Sequence, residues 1–177
     1  MQEAIFAVKL FKTMKYISIA GSNSSVSINQ KLIGYLSQEL GFNELFLTQY
    51  EIPMYGIDEE QKGFPKDVEM LYNLIFESEV VMISVAEHNG NLTAFFKNII
   101  DWLSRYKRSF LENKKVVLLS SSPGKMGGKS ALEVAKNMLP RFGGEIIYAK
   151  NIANFNGDFL NEEFRELVQD IRSVLLW

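Results

Sequence analysis

Two hydrophobic periods take turns along this chain. Lys15–Ala20 (KYISIA) and Glu79–Ala86 (EVVMISVA) are short apolar runs, the second almost continuous, as a strand covered on both faces requires. Asn43–Thr48, Lys115–Ser120 and Glu145–Ala149 add three more strands. Between the strands the period lengthens to that of a helix. Ile28, Leu32, Ile33, Leu36 and Leu40 share one face before Gly41 stops the segment, and Val68, Leu71, Leu74 and Ile75 do the same within Lys66–Ser78. Phe95, Phe96, Ile99, Ile100 and Leu103 make a third stripe. Leu132, Ala135, Met138 and Leu139 make a fourth over Ser130–Phe142, and Phe164, Leu167, Val168, Ile171 and Leu175 a fifth over Asn161–Leu176.

Strand–helix alternation without a hairpin signal calls for a parallel sheet with helices on both faces. No repeat, linker or low-complexity tract divides the chain, so residues 14–177 read as one domain. Residues 1–13 (MQEAIFAVKLFKT) precede the first core element and are given no role. They lack the basic start, clean apolar stretch and small-residue cleavage site of a signal peptide. Gln49–Pro65 contains Pro53, Gly56, Gly63 and Pro65 and reads as a long loop, the kind that usually serves a site or stays mobile.

Composition narrows the chemistry. Of 177 residues, 47% are hydrophobic and 23% charged, with a net charge of −2, so a basic nucleic-acid footprint and a membrane-surface stripe are not expected. There is no cysteine, which removes thiol nucleophiles and Cys-based metal sites and fits a reducing, cytoplasmic setting. The single histidine, His88, cannot build a multi-His metal centre within one chain. No apolar run reaches the length of a bilayer span.

In a sheet of this kind ligands bind beyond the carboxyl ends of the strands, where strand order reverses. Three loops at such places stand out. Gly21–Asn29 (GSNSSVSIN) gathers hydroxyls, an amide and free backbone N–H groups at a helix mouth, which attracts anions. Ser22, Ser24, Ser27 and Asn29 are short enough to let a phosphate approach the backbone; the plain alternative is that Ser25 or Ser27 caps the helix, and both can hold together. Glu87–Asn91 (EHNGN) follows the most apolar strand. Its backbone N–H groups and Gly90 suit a flat ligand, with His88 stacked beside the ring; the alternative is a capped loop in which Asn91 or Thr93 starts the helix and His88 is merely exposed.

The third loop, Ser120–Gly128 (SSSPGKMGG), invites comparison with phosphate loops. A Walker A motif ending at Gly128-Lys129-Ser130 needs glycine where Pro123 stands, and no G-x-G-x-x-G follows the first strand. This loop reads as a pocket wall or a turn. A phospho-receiver or an acidic metal site would need carboxylates where the chain has Gly21-Ser22 and Ala86-Glu87.

Taken together, these loops resemble those of the NADPH-dependent FMN reductase family, with its chromate-, quinone- and azo-reducing relatives. The family's Gly-Ser-x-Arg-x-x-Ser-x-Asn corresponds to Gly21–Asn29, its Pro-Glu-Tyr-Asn-Gly to Ala86–Gly90, and its Leu-Lys-Asn-x-Ile-Asp-Trp-Leu-Ser to Phe96–Ser104. A Ser-Pro-Gly…Gly-Gly loop matches Ser122-Pro123-Gly124 and Gly127-Gly128, and Ile52-Pro53-Met54-Tyr55 looks like the family's Leu-Pro-Leu-Tyr. The departures are Ser24 for the arginine, Ala86 for the proline and His88 for the tyrosine. Losing the arginine leaves phosphate binding to hydroxyls and backbone donors and weakens any preference for NADPH over NADH.

The resemblance implies a flavodoxin-like doubly wound three-layer α/β/α sandwich with a five-stranded parallel sheet of order 2-1-3-4-5. It implies an NAD(P)H-dependent oxidoreductase with FMN as cofactor and NADPH or NADH as reductant, passing hydride to a small-molecule acceptor such as a quinone, azo compound, metal oxyanion or free flavin. The FMN phosphate would lie on Ser22, Ser24, Ser27, Ile28 and Asn29, and the isoalloxazine against Glu87, His88, Asn89 and Gly90, with Met54, Tyr55, Ser122 and Gly124 as walls. No catalytic side chain and no metal is called for, because the cofactor supplies the electronics. The family's habit implies a homodimer or homotetramer, with the Trp102-bearing helix as one contact and core packing as that helix's other reading. A flavodoxin-like electron carrier is the rival; carriers of that kind usually have a Thr-rich phosphate loop and a strongly acidic face. A degenerate member that binds no flavin is a third reading.

Overall fold

A computed structural model describes residues 15–157 and 162–175 of the chain. Residues 1–13, and Asn161 and Leu176 at the ends of the expected last helix, lie outside these. In chain order the elements are β1 (Tyr16–Gly21), α1 (Ile28–Leu40), β2 (Asn43–Leu45), α2 (Ile57–Glu60), α3 (Lys66–Glu77), β3 (Val80–Val85), β4 (Glu87–His88), β5 (Asn91–Leu92), α4 (Ala94–Tyr106), β6 (Lys114–Ser121), α5 (Lys129–Met138), β7 (Gly144–Ile152) and α6 (Glu162–Leu175).

The main sheet runs β2-β1-β3-β6-β7, every neighbour parallel. The outer pair carry the numbers six and seven, not four and five, because two short strands intervene in the chain. Those strands, β4 and β5, form an antiparallel hairpin with Glu87 opposite Leu92 and His88 opposite Asn91. This corrects the expectation of no hairpin. Asn89 and Gly90 both have positive φ, 52° and 73°, as a type I′ hairpin turn requires, and Asn-Gly is the dipeptide that adopts it most readily.

Other boundaries move for local reasons. β2 pairs only with Ile17–Ile19 at the sheet edge and stops at Leu45, after which Leu47–Gln49 forms a 3₁₀ turn. The long loop carries the one-turn helix α2. Helix α5 ends at Met138, where Pro140 follows in a 3₁₀ turn whose closing residue, Gly143, is left-handed.

Alternate residues of each strand feed two cores. Ile17, Ile19, Val81, Ile83, Val85, Val116 and Leu118 pack with α3, α4 and α5; Ala20, Val80, Met82, Val117 and Leu119 pack with α1 and α6. β3 is buried along its whole length, which explains an apolar run interrupted only by Ser84. From β1 the chain crosses outward to β2, then returns past β1 to β3. The carboxyl ends of β1 and β3 therefore flank the point of reversal.

Candidate functional site

The loop after β1 is organised by its own hydroxyls. Ser22 Oγ accepts the Ser24 N–H and Ser24 Oγ the Val26 N–H, both at 3.3 Å, while Ser27 caps α1 by accepting the Gln30 N–H at 3.2 Å. Capping and ligand binding are compatible here, since a hydroxyl that accepts one N–H keeps its own proton to donate. Ser22 and Ser27 are buried, Ser24 is exposed and Ile28 is half-buried. Gly21 is fixed by a close approach: a Cβ there would stand 2.7 Å from Cγ of Phe96 in α4.

Asn29 turns inward instead. Its Oδ1 accepts from Ser84 Oγ at 2.7 Å, Ser121 N at 3.0 Å and Ser121 Oγ at 3.1 Å, and its Nδ2 donates to Ser121 O at 3.2 Å. The amide thus pairs with the Ser121 backbone as another strand would, tying the first turn of α1 to the ends of β3 and β6. Asn29 holds the loop in place with its Oδ1 and one Nδ2 N–H.

The β4–β5 hairpin rises directly from the end of β3. His88, Asn89 and Gly90 are exposed at its tip, and nothing lies within 4 Å of a Cβ placed on Gly90, so the space beside the turn is open. Glu87 is half-buried and its Oε2 accepts the Ala131 N–H at 3.1 Å. Thr93 closes the hairpin by capping α4 through the Phe96 N–H at 3.1 Å while donating to Gly21 O at 2.8 Å.

The Met54–Tyr55 wall is hooked onto α4 by side chains at helical spacing. Asn98 Nδ2 and Trp102 Nε1 both donate to Pro53 O, at 2.9 and 2.8 Å, and Asn98 Oδ1 accepts the Tyr55 N–H at 2.6 Å. Tyr55 packs edge-on against Trp102 with ring centroids 5.3 Å apart, and its hydroxyl donates to Glu60 Oε2 at 2.7 Å. Arg105 grips Glu60 with Nε and Nη2 at 2.9 and 3.1 Å, which lowers the Glu60 pKa; the Glu60 hydrogen bond in turn raises that of Tyr55. Met54, between the hooked carbonyl and amide, is exposed. Asn98 and Arg105 were not singled out as site residues in the sequence. The signal for Asn98 was the Lys-Asn-x-Ile-Asp-Trp run itself, read there as family likeness without a partner, whereas Arg105 lies just beyond the matched run.

The fourth wall, Ser122–Gly128, lies against the end of β7. Ser122 Oγ donates to Gly124 O at 3.3 Å, Asn154 N–H donates to the same carbonyl at 3.1 Å, and Phe155 N–H donates to Ser122 O at 3.0 Å. The serine loop, the hairpin and Ser122–Gly128 follow the carboxyl ends of β1, β3 and β6, and Met54–Tyr55 is tied to α4, the helix that follows the hairpin. Hydroxyl and N–H donors stand on one side, an open hairpin tip on another, and no acid occurs within Gly21–Asn29. That donor set suits a phosphate monoester beside a planar ring. Trp102 is fully buried, so this side chain packs in the core with Phe96, Ile99, Ile100 and Leu103. Among the described residues no helix is long and apolar enough to cross a membrane.

Comparison with known proteins bears on the same region. The model of the NADPH-dependent FMN reductase family matches residues 14–159. An NAD(P)H-dependent FMN reductase of Pseudomonas aeruginosa is 27% identical, the match covering 93% of this chain and 95% of that protein. A quinone reductase of Escherichia coli is 39% identical over 79 residues, covering 44% of this chain and 42% of the relative. Among solved structures, the flavoenzyme NAD(P)H:(acceptor) oxidoreductase FerB of Paracoccus denitrificans superposes with a TM-score of 0.77 at 24% identity, covering 92% of this chain and 96% of that one, a likeness of fold.

Proposed function

Since this chain belongs to the NADPH-dependent FMN reductase family, we propose that it is a cytoplasmic FMN-dependent oxidoreductase that passes hydride from NADH or NADPH to a small acceptor of the quinone type. The observation that carries this reading is the placement of the serine loop after β1 and the open hairpin after β3, on either side of the reversal point of the sheet and joined by the Thr93 bond to Gly21 O. When bound, FMN supplies the two-electron chemistry, accepting hydride from the nicotinamide and passing it on.

The chain's own residues bind and orient. Ser22, Ser24 and Ser27 would donate O–H groups to the phosphate at the N-terminus of α1, with Ile28 beside them. The backbone of Glu87–Gly90 would support the flavin ring, its N–H groups serving as donors to the ring's carbonyl edge. Met54, Tyr55, Ser122 and Gly124 bound the space shared by reductant and acceptor. With Ser24 in the loop, phosphate recognition uses no fixed cation there, so the reading extends to either nicotinamide.

Val26, Met54 and Met126, in the loops that follow β1, β2 and β6, and Ile57, at the start of α2, are exposed. An apolar rim supports a planar, weakly charged acceptor over a metal oxyanion. The proposal includes a homodimer or homotetramer in which the exposed Met54, Ile57 and Phe64, rather than Trp102, make contact.

The test is a visible spectrum of purified protein after incubation with FMN, followed by NADH and NADPH oxidation with a quinone present. Flavin bands and quinone-dependent turnover are expected. A yellow protein inert to both nicotinamides would make it an electron carrier, and one that cannot take up FMN would end the flavin reading.

A further inference from the structure

Helix α5 begins without a cap of its own. The N-cap position is Gly128, held at φ 74° with no side chain to offer, and its first turn contains no acid. The N–H that a capping side chain ordinarily takes is that of the third helical residue, here Ala131. It is taken instead by Glu87 Oε2 at 3.1 Å, from a strand of the hairpin 44 positions earlier. The helix dipole favours a carboxylate at that place, so the contact is a charge-assisted hydrogen bond.

The same contact fixes the hairpin. β4 and β5 are two residues each and stand apart from the main sheet, and two-stranded ribbons of that size are not stable alone. Together with the Thr93 bond to Gly21 O and the burial of Leu92 in the core, the Glu87–Ala131 bond sets where the hairpin stands. Because α5 is also the helix that follows Ser122–Gly128, one bond joins two walls of the site.

We propose that Glu87 is a positioning residue whose carboxylate, by capping α5, holds the His88–Asn89–Gly90 turn at the height at which its backbone meets the flavin ring. The proposal rests on the flavin reading above. It assigns the Glu87 side chain to the helix and leaves only the backbone of that residue to the ligand.

Fluorescence titration with FMN and thermal melts of the apoprotein separate the roles. Glu87→Ala should lower the melting temperature and weaken FMN binding about tenfold, the scale of one charge-assisted hydrogen bond. Glu87→Gln keeps an acceptor oxygen and should stay within about threefold of the parent. The decisive variant is Glu87→Ala combined with Ser130→Asp, which returns an acid to the first turn of α5 without reaching the hairpin. Recovery of the melting temperature without recovery of FMN affinity is the expected result. Recovery of both would reduce Glu87 to a helix cap and overturn the proposal. So would Glu87→Ala binding FMN as tightly as the parent, since the hairpin would then keep its place without the cap. If the parent protein itself fails to bind FMN, the flavin reading falls instead, and the melts still report on the cap.

Discussion

Asn29 and Ser121 are 92 positions apart, yet the side-chain amide of one pairs with the backbone N–H and C=O of the other. Only 3% of Asn29 is exposed, so each of its partners would be left without water if the amide were removed. Asn29→Ala should therefore cost about 2–3 kcal/mol of stability. Chemical denaturation would show this as a shifted midpoint. Asn29→Asp should fare no better, because it buries a charge and turns a donor toward Ser121 O into a second acceptor.

Gly21 and Phe96 meet where β1 ends and α4 begins. A methyl group at Gly21 must displace the Phe96 ring, of which 2% is exposed. Gly21→Ala should destabilise by about 1–3 kcal/mol through overpacking. Combined with Phe96→Leu, the loss should be smaller than the sum of the two single losses, and a double-mutant cycle reads that coupling directly.

Asn98 holds both Pro53 O and Tyr55 N–H, whereas Trp102 holds only Pro53 O. Asn98→Ala should loosen the 53–60 segment while the fold persists. Limited tryptic digestion should then cut at Lys62 faster than in the parent. Unchanged cleavage would mean that Trp102 and the Arg105–Glu60 pair suffice to keep the wall in place.

Lys114 donates from Nζ to Phe76 O and Ser78 O at 2.5 and 2.6 Å, serving the carbonyl end of α3. Burial pushes its pKa below the ordinary value of 10.5, against the smaller opposing pull of Glu77 and Glu79. The unfolded chain then holds this proton more tightly than the folded one. Its contribution to stability is full above 10.5 and is lost as pH falls through the lower folded value. Comparing Lys114→Met with the parent across that window isolates it from the tyrosines that titrate nearby. The parent should gain stability relative to the variant as pH rises, and parallel profiles would refute the assignment.

The stripes of Val68, Leu71, Leu74 and Ile75, and of Phe96, Ile99, Ile100 and Leu103, were legible because each helix must bury one face. The serine loop was legible too, since helix mouths and short hydroxyls have local signatures. The hairpin was present in the sequence as Asn89-Gly90, but strands of two residues are too short to show alternation and read as a polar break. Glu87 and Asn98 were less visible. Both sit in motifs whose likeness to a family could be seen, while their partners Ala131 and Pro53 lie 44 and 45 positions away.

What the chain determined by itself was the set of elements, the two-faced burial of the sheet and the placement of polar loops at its carboxyl edge, because periodicity and turn chemistry act over a few residues. Tertiary structure alone decided which polar groups were spoken for. Asn29 turned toward Ser121, Glu87 toward α5, and Trp102 into the core, because a buried donor or acceptor takes whichever partner the packing brings within reach, and that distance is written nowhere along the chain.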